Sequence, residues 1–76
     1  MIVEMYEIRS FEPKTKISKI YIDSIEKIDG QIVFNGRSAE DDTFIGFSKE
    51  AIGSEFFYSL KDAVEGLQGM NLWDAQ

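Results

Sequence analysis

Cysteine and histidine are both absent from this 76-residue chain, which also has only one proline and one tryptophan. Without cysteine there are no disulfides and no thiol nucleophiles, and without either residue there is no Cys/His zinc site. Histidine is also the commonest general base near neutral pH. Composition alone therefore excludes several familiar kinds of catalytic site, and we expect no metal and no cofactor.

Long apolar runs are missing as well. No segment approaches the roughly 20 apolar residues that a membrane helix needs. The start, Met1–Glu7, lacks the positive region of a signal peptide. We therefore expect a cytoplasmic protein that does not bind membranes.

Positive charge is scarce, and the formal net charge is −6. Residues 1–19 carry +1, residues 20–55 carry −5 and residues 56–76 carry −2. The middle of the chain would repel phosphate, which argues against direct nucleic-acid binding. A negative surface that only keeps a small protein soluble is one explanation. A surface that meets a basic partner is the other.

The length predicts one domain, residues 1–76, and the apolar fraction of 43% with ten aromatic residues predicts a real core. Met1–Phe11 suits a first strand, which Pro13 would end. The stretch Glu12–Lys16 is then predicted to be an exposed connection, and its lysines, with Lys19, would discourage pairing at a strand edge.

Residues 17–28 fit two patterns. Their apolar residues fall at helical spacing, but the isoleucines prefer strands. Asp29-Gly30 decides the matter, because this pair supplies the positive φ angles of a hairpin turn. We predict a strand with a bulge near Asp23-Ser24, where the alternation of apolar and polar residues slips.

The middle of the chain is expected to continue with short strands. Gln31–Phe34 is a short apolar run, Asn35-Gly36 a second turn signal and Arg37–Asp42 a polar loop. Thr43–Phe47 is predicted to be another strand, in which Gly46 indicates a bulge or a close backbone approach.

The last third contains a frame of regularly placed residues: Gly53, Phe57, Ser59, Ala63 and Leu67. Ser48 can cap a single helical turn that Gly53 ends, and Phe56-Phe57 reads as a short strand. Ser59 and Asp62 are close to a capping box for a helix whose apolar stripe would be Leu60, Ala63, Val64 and Leu67. Gly66 and Gly69 would weaken and end this helix, leaving residues 70–76 as a tail.

This order predicts an α+β fold. We expect an antiparallel sheet of four or five strands, or a small partly open barrel, with one C-terminal helix packed on it.

The C-terminal frame resembles a signature of many small phage and prophage proteins, Gly-x-x-x-Phe-x-Thr-x-x-Glu-Ala-x-x-x-Leu. In this chain Ser59 replaces the threonine and Asp62 the glutamate. By size and charge alone, the chain also resembles phage-encoded inhibitors of host defence, including anti-CRISPR proteins. The first likeness implies an origin and a fold, and the second implies only a type of protein, with no motif behind it. Neither names an activity.

Acidic residues are the main candidates for a binding surface: Asp23, Glu26, Glu40, Asp41, Asp42 and Glu50. With Asp29 and Glu55 they also suggest a nucleic-acid mimic, but interspersed basic residues make this array thin for a duplex. A solvated loop is the plain alternative for the adjacent acids 40–42. Tyr21 and Trp73 are candidate aromatic anchors, although each also suits the edge of a core.

We find no phosphate-binding glycine loop and no Gly-x-Ser-x-Gly motif, and we expect no enzymatic activity. The sequence favours a module that binds and sterically occludes a host protein. A nucleic-acid-binding protein with a basic surface is the kind of partner that fits this charge. The alternative is a structural or accessory module that self-associates, as a homodimer for example, through a strand edge or the C-terminal tail.

Overall fold

A computed structural model of the chain describes residues 3–11 and 14–74, with side chains for residues 3–10 and 14–69. The elements follow in the order β1 Val3–Phe11, β2 Lys14–Ile28, β3 Gln31–Ser38, β4 Phe44–Ser48, a 3-10 turn Lys49–Ala51, β5 Phe56–Phe57 and α1 Leu60–Asp74. Neighbouring strands are antiparallel in the order β4-β3-β2-β1-β5. The predicted α+β fold is confirmed as an open, five-stranded antiparallel sheet with one C-terminal helix.

The long strand β2 carries the predicted bulge. Its pairing with β3 shifts between Ile22 and Ser24, so that Asp23 is an extra residue opposite β3. An extra residue moves the following side chains to the other face of the sheet, which explains the mixed periodicity of this segment. The hairpin after it is also confirmed, since Asp29 and Gly30 have φ angles of 50° and 82°.

Two predictions are wrong for β3. Asn35-Gly36 is not a turn and Arg37 does not begin a loop, because the strand continues to Ser38. Gly36 pairs with Ile22, next to the bulge. A Cβ atom on Gly36 would overlap the carbonyl oxygen of Tyr21. Glycine is therefore required here by the close approach of two strands and not by a turn.

Two further predictions need correction. Lys14–Lys16 is not a loop, since these residues pair with Arg9, Ser10 and Phe11 and begin β2. Gly46 does not mark a bulge, because it pairs in regular register with Asn35. The close neighbour of Gly46 is a side chain, the ring of Phe44, which lies 3.3 Å from the position of a Cβ atom.

The two faces of the sheet carry separate apolar clusters. The inner cluster is made of buried residues from all five strands: Met5, Ile20, Ile22, Phe34, Phe47 and Phe56. Ala51 and Ile52 pack against it. The helix cluster lies on the other face and contains Ile8, Phe57 and Ala63, with Tyr6, Ile17 and Leu67 around them.

The start of α1 is capped as predicted, since the backbone N–H of Asp62 donates to Ser59 Oγ at 3.1 Å. The predicted apolar stripe is only half right. Ala63 is buried and Leu67 packs on the helix cluster, but Leu60 and Val64 are 51% and 37% exposed. The helix is rotated because Gly66, which has no side chain, lies against the ring of Phe57.

The helix continues to Asp74, past Gly69, where the sequence predicted its end. The last residues of the predicted tail, 75–76, lie outside the described residues. Within the described part of the chain, no helix is long and apolar enough to cross a membrane.

Candidate partner-binding surface

The face of the sheet that carries α1 is covered unevenly. The helix packs mainly on β1 and β5. On the other half of this face, the strand register places Tyr21 opposite Arg37 and Arg37 opposite Phe44. Side chains at paired positions lie on the same face, so these three form a row across β2, β3 and β4. Phe44 is 71% exposed.

Arg37 is the centre of this row. Its Nη1 atom donates to both carboxylate oxygens of Asp23 at 3.2 Å, and its Nε atom lies 3.7 Å from Oδ1 of Asp42. The guanidinium carbon lies 6.0 Å from the centre of the Tyr21 ring. All of these ionic side chains are substantially exposed. Exposed ion pairs add little stability, so their main effect is to orient the guanidinium group.

The row continues along β3 toward the hairpin. The side-chain amide of Asn35 donates to Glu26 at 3.2 Å. Its oxygen and the ring of Phe44 both lie close to Gly46, at 3.5 and 3.3 Å from the position of a Cβ atom there. We call this surface the open face, and it consists of Tyr21, Asp23, Glu26, Arg37, Asp42 and Phe44. It brings together four residues that the sequence analysis selected. Phe44 and Arg37 were missed, because exposure and pairing are set by the strand register.

The other predicted acidic residues are engaged elsewhere. Glu40 accepts hydrogen bonds from Lys16 Nζ at 2.7 Å and from Ser18 Oγ at 2.6 Å. Both hydrogen bonds lower the pKa of Glu40, and the bond from Lys16 has the larger effect. Ser18 is buried on the inner face of the sheet. The carboxylate of Glu40 is thus bound to the face opposite Arg37.

Asp41 and Glu50 also lie apart from Arg37. The backbone N–H of Thr43 donates to Asp41 Oδ1 at 3.1 Å, and hydrogen bonding from Thr43 lowers the pKa of Asp41. Glu50 is an exposed residue of the 3-10 turn. Among the described residues, the carboxylates that contact Arg37 are those of Asp23 and Asp42. The six predicted acids therefore do not all gather around the open face.

Glu7 is a charged residue that the sequence analysis did not select. Its Oε1 atom is buried, has no hydrogen-bond partner in the described part of the chain and lies 3.8 Å from Arg9 Nε. Burial raises the pKa of Glu7, against the opposing effect of Arg9, and Glu55 raises it further. A single glutamate in a strand gives no sequence signal, since its burial depends on the packing of β5 beside β1.

An open groove of about 400 Å³ lies beside α1, at the β5 edge of the sheet. Its lining consists of Ile52, Gly53, Phe57, Tyr58, Asp62, Glu65 and Gly66. From the sequence, residues 53–67 predicted only a short strand and a capped helix, and no binding site. One sequence feature did point to the groove: Asp62 and Glu65 are three residues apart on a predicted helix, so both lie on the same side of that helix.

Trp73, the predicted anchor, belongs to the last turn of α1, and its side chain lies outside the described residues. Its role as an anchor stays a prediction. Searches of family models, of curated proteins and of solved structures each found no match to this chain.

Proposed function

We propose that this chain is a non-catalytic module that binds a basic protein through the open face and blocks the surface it covers. The observation that carries the proposal is the exposed ring of Phe44 in one row with Arg37 and Tyr21. Aromatic and arginine side chains are enriched at the centres of protein interfaces, where a few of them carry most of the binding energy.

The charge of the open face favours a basic partner. The open face carries three carboxylates and one guanidinium group: Asp23 and Asp42 contact Arg37, and Glu26 accepts a hydrogen bond from Asn35. The whole chain carries a net charge of −6. Such a surface raises the association rate with a positively charged partner. Salt screens the charges, so this rate falls as the salt concentration rises. A protein that binds nucleic acid has a positively charged surface that fits this description of the partner.

The finer form of the proposal is an inhibitor that acts in the cytoplasm in a conflict between phage and host. It is supported by the resemblance of the C-terminal frame to small phage proteins and by the acidic charge. Steric occlusion is the simplest mechanism, because it needs only a surface and no chemistry.

The test is affinity capture of the tagged protein from bacterial lysate at low and high salt, with the bound proteins identified by mass spectrometry. We expect one dominant basic partner that is released at high salt. Phe44→Thr, which keeps strand preference but removes the ring, should lose that partner. Asp23→Asn/Asp42→Asn should weaken its capture at low salt.

A matched control is Ile25→Thr, which replaces another exposed apolar residue of the sheet. This variant should capture the partner as the wild type does. The proposal is wrong if Phe44→Thr retains the partner in full, or if Ile25→Thr loses it equally.

Self-association is a second candidate, favoured by the position of β4. This five-residue strand is an outer strand of the sheet and pairs on one side with β3. An unpaired strand edge is a template for another copy. Sedimentation equilibrium distinguishes the two candidates, because a mass that rises with concentration at any salt supports self-association.

A further inference from the structure

The groove beside α1 has an apolar floor. The ring of Phe57 is buried there and Ile52 is half-buried. Gly66 makes this floor possible, because a Cβ atom at that position would lie 2.7 Å from Cζ of Phe57. The ring can therefore lie directly against the helix backbone, and the space above it stays open.

The rim of the groove is acidic and aromatic. Asp62 and Glu65 line it from α1, and Tyr58, which is 58% exposed, also lines it. Among the described residues, the seven that line the groove include no basic side chain. Lys61 lies 3.9 Å from Glu65 and is exposed. Such an i,i+4 pair at the surface is weak, so a better partner can replace it.

We propose that this groove binds an arginine side chain presented by a partner protein. The aliphatic stem of arginine fits an apolar floor such as that of Phe57 and Ile52. Its planar guanidinium group can bond to the carboxylates of Asp62 and Glu65 and stack on the ring of Tyr58. The proposal does not depend on the open face, since the groove adjoins β5 and the open face extends to β4, at opposite edges of the sheet.

Other occupants fit less well. A purely apolar ligand would remove water from two carboxylates without replacing their hydrogen bonds. A metal ion would need further ligands, and the described residues contain no group of three acidic side chains placed to hold one. Lysine has the stem and the charge but lacks the planar fork that meets two carboxylates.

The test is a titration of the 15N-labelled protein with the peptide acetyl-Gly-Gly-Arg-Gly-Gly-amide, followed by NMR. We expect saturable shifts of the amide signals of Gly53, Tyr58, Glu65 and Gly66. Asp62→Asn/Glu65→Gln should weaken binding at least about fivefold, as expected for the loss of two exposed charge contacts. These substitutions lie at exposed helix positions, and the amide spectrum itself reports whether the variant is folded.

Two controls isolate the groove. The same peptide with norleucine in place of arginine has the stem without the charge and should produce no saturable shifts. The open-face variant Asp23→Asn/Asp42→Asn should bind the arginine peptide as the wild type does. Equal shifts with norleucine, or loss of binding in the open-face variant, would overturn the assignment. Neither result affects the capture of a partner through Phe44, so failures of the two proposals are distinguishable.

Discussion

The inner cluster and the helix cluster lie on opposite faces of one sheet and differ in how they are built. The inner cluster takes buried side chains from all five strands and contains a stack of three rings. The helix cluster has three buried residues, Ile8, Phe57 and Ala63, and one of these is an alanine. Apolar stabilisation scales with the area removed from water, so the inner cluster contributes more.

The difference implies two levels of stability. Unfolding of the inner cluster disrupts every strand, whereas α1 can separate from β1 and β5 while the sheet stays paired. Local openings of this kind have lower free energies than global unfolding. The groove and the exposed residues of α1 lie on the less stable of the two regions.

The largest effect is expected from Phe47→Ala. Phe47 stacks between Phe34 and Phe56, with ring centres at 5.3 and 3.7 Å. Loss of a buried phenylalanine ring lowers the free energy of unfolding by about 3–5 kcal/mol. Urea denaturation measures this, and Phe44→Ala on the same strand should change stability by less than about 0.5 kcal/mol. Equal losses in both variants would contradict the dominance of the inner cluster.

Gly66→Ala tests the helix cluster. An alanine Cβ would meet the ring of Phe57, and overpacking costs about 1–3 kcal/mol. The helix preference of alanine offsets up to about 1 kcal/mol of this. Gly69→Ala is the matched control, because a Cβ atom there meets nothing within 4 Å. We expect thermal or urea unfolding to show a loss at 66 and a gain at 69, and a gain at both positions would refute the packing argument.

Ser59→Ala removes the helix cap and should reduce the stability of α1 by about 1 kcal/mol. Hydrogen exchange of individual amides measures where the loss occurs. Amides of α1 should exchange faster, while those of β2 stay protected, and Ser59→Thr should preserve the cap. Faster exchange in both elements would mean that helix and sheet open together.

The smallest effect concerns pH. Burial raises the pKa of Glu7 in the folded state, so this residue favours folding at low pH, and that contribution is lost as the pH rises through the folded pKa. Glu7→Gln removes the dependence. Relative to wild type, the variant should gain stability from pH 4 to pH 7 in urea denaturation. If the difference in free energy of unfolding between wild type and Glu7→Gln is the same at pH 4 and pH 7, Glu7 is not the source of the pH dependence.

Some features could be predicted from the sequence because neighbouring residues carry them. Asp29-Gly30 supplies its own turn geometry, and Ser59 caps the backbone three residues later. The bulge at Asp23 appears as a slip in alternation, which is a local pattern. Four members of the open face were selected because acidic and aromatic side chains suit an interface.

The remaining features depend on contacts between residues far apart in the chain. Gly36 looks like a turn residue, but its place in β3 is set by the Tyr21 carbonyl of the neighbouring strand. The rotation of α1 depends on the ring of Phe57 against Gly66, and the exposure of Phe44 depends on α1 packing over β1 and β5. Local signals thus determined the Asp29-Gly30 hairpin, the cap and the bulge, because their energies arise within a few residues. Tertiary packing decided which face is open, because burial depends on what another part of the chain covers.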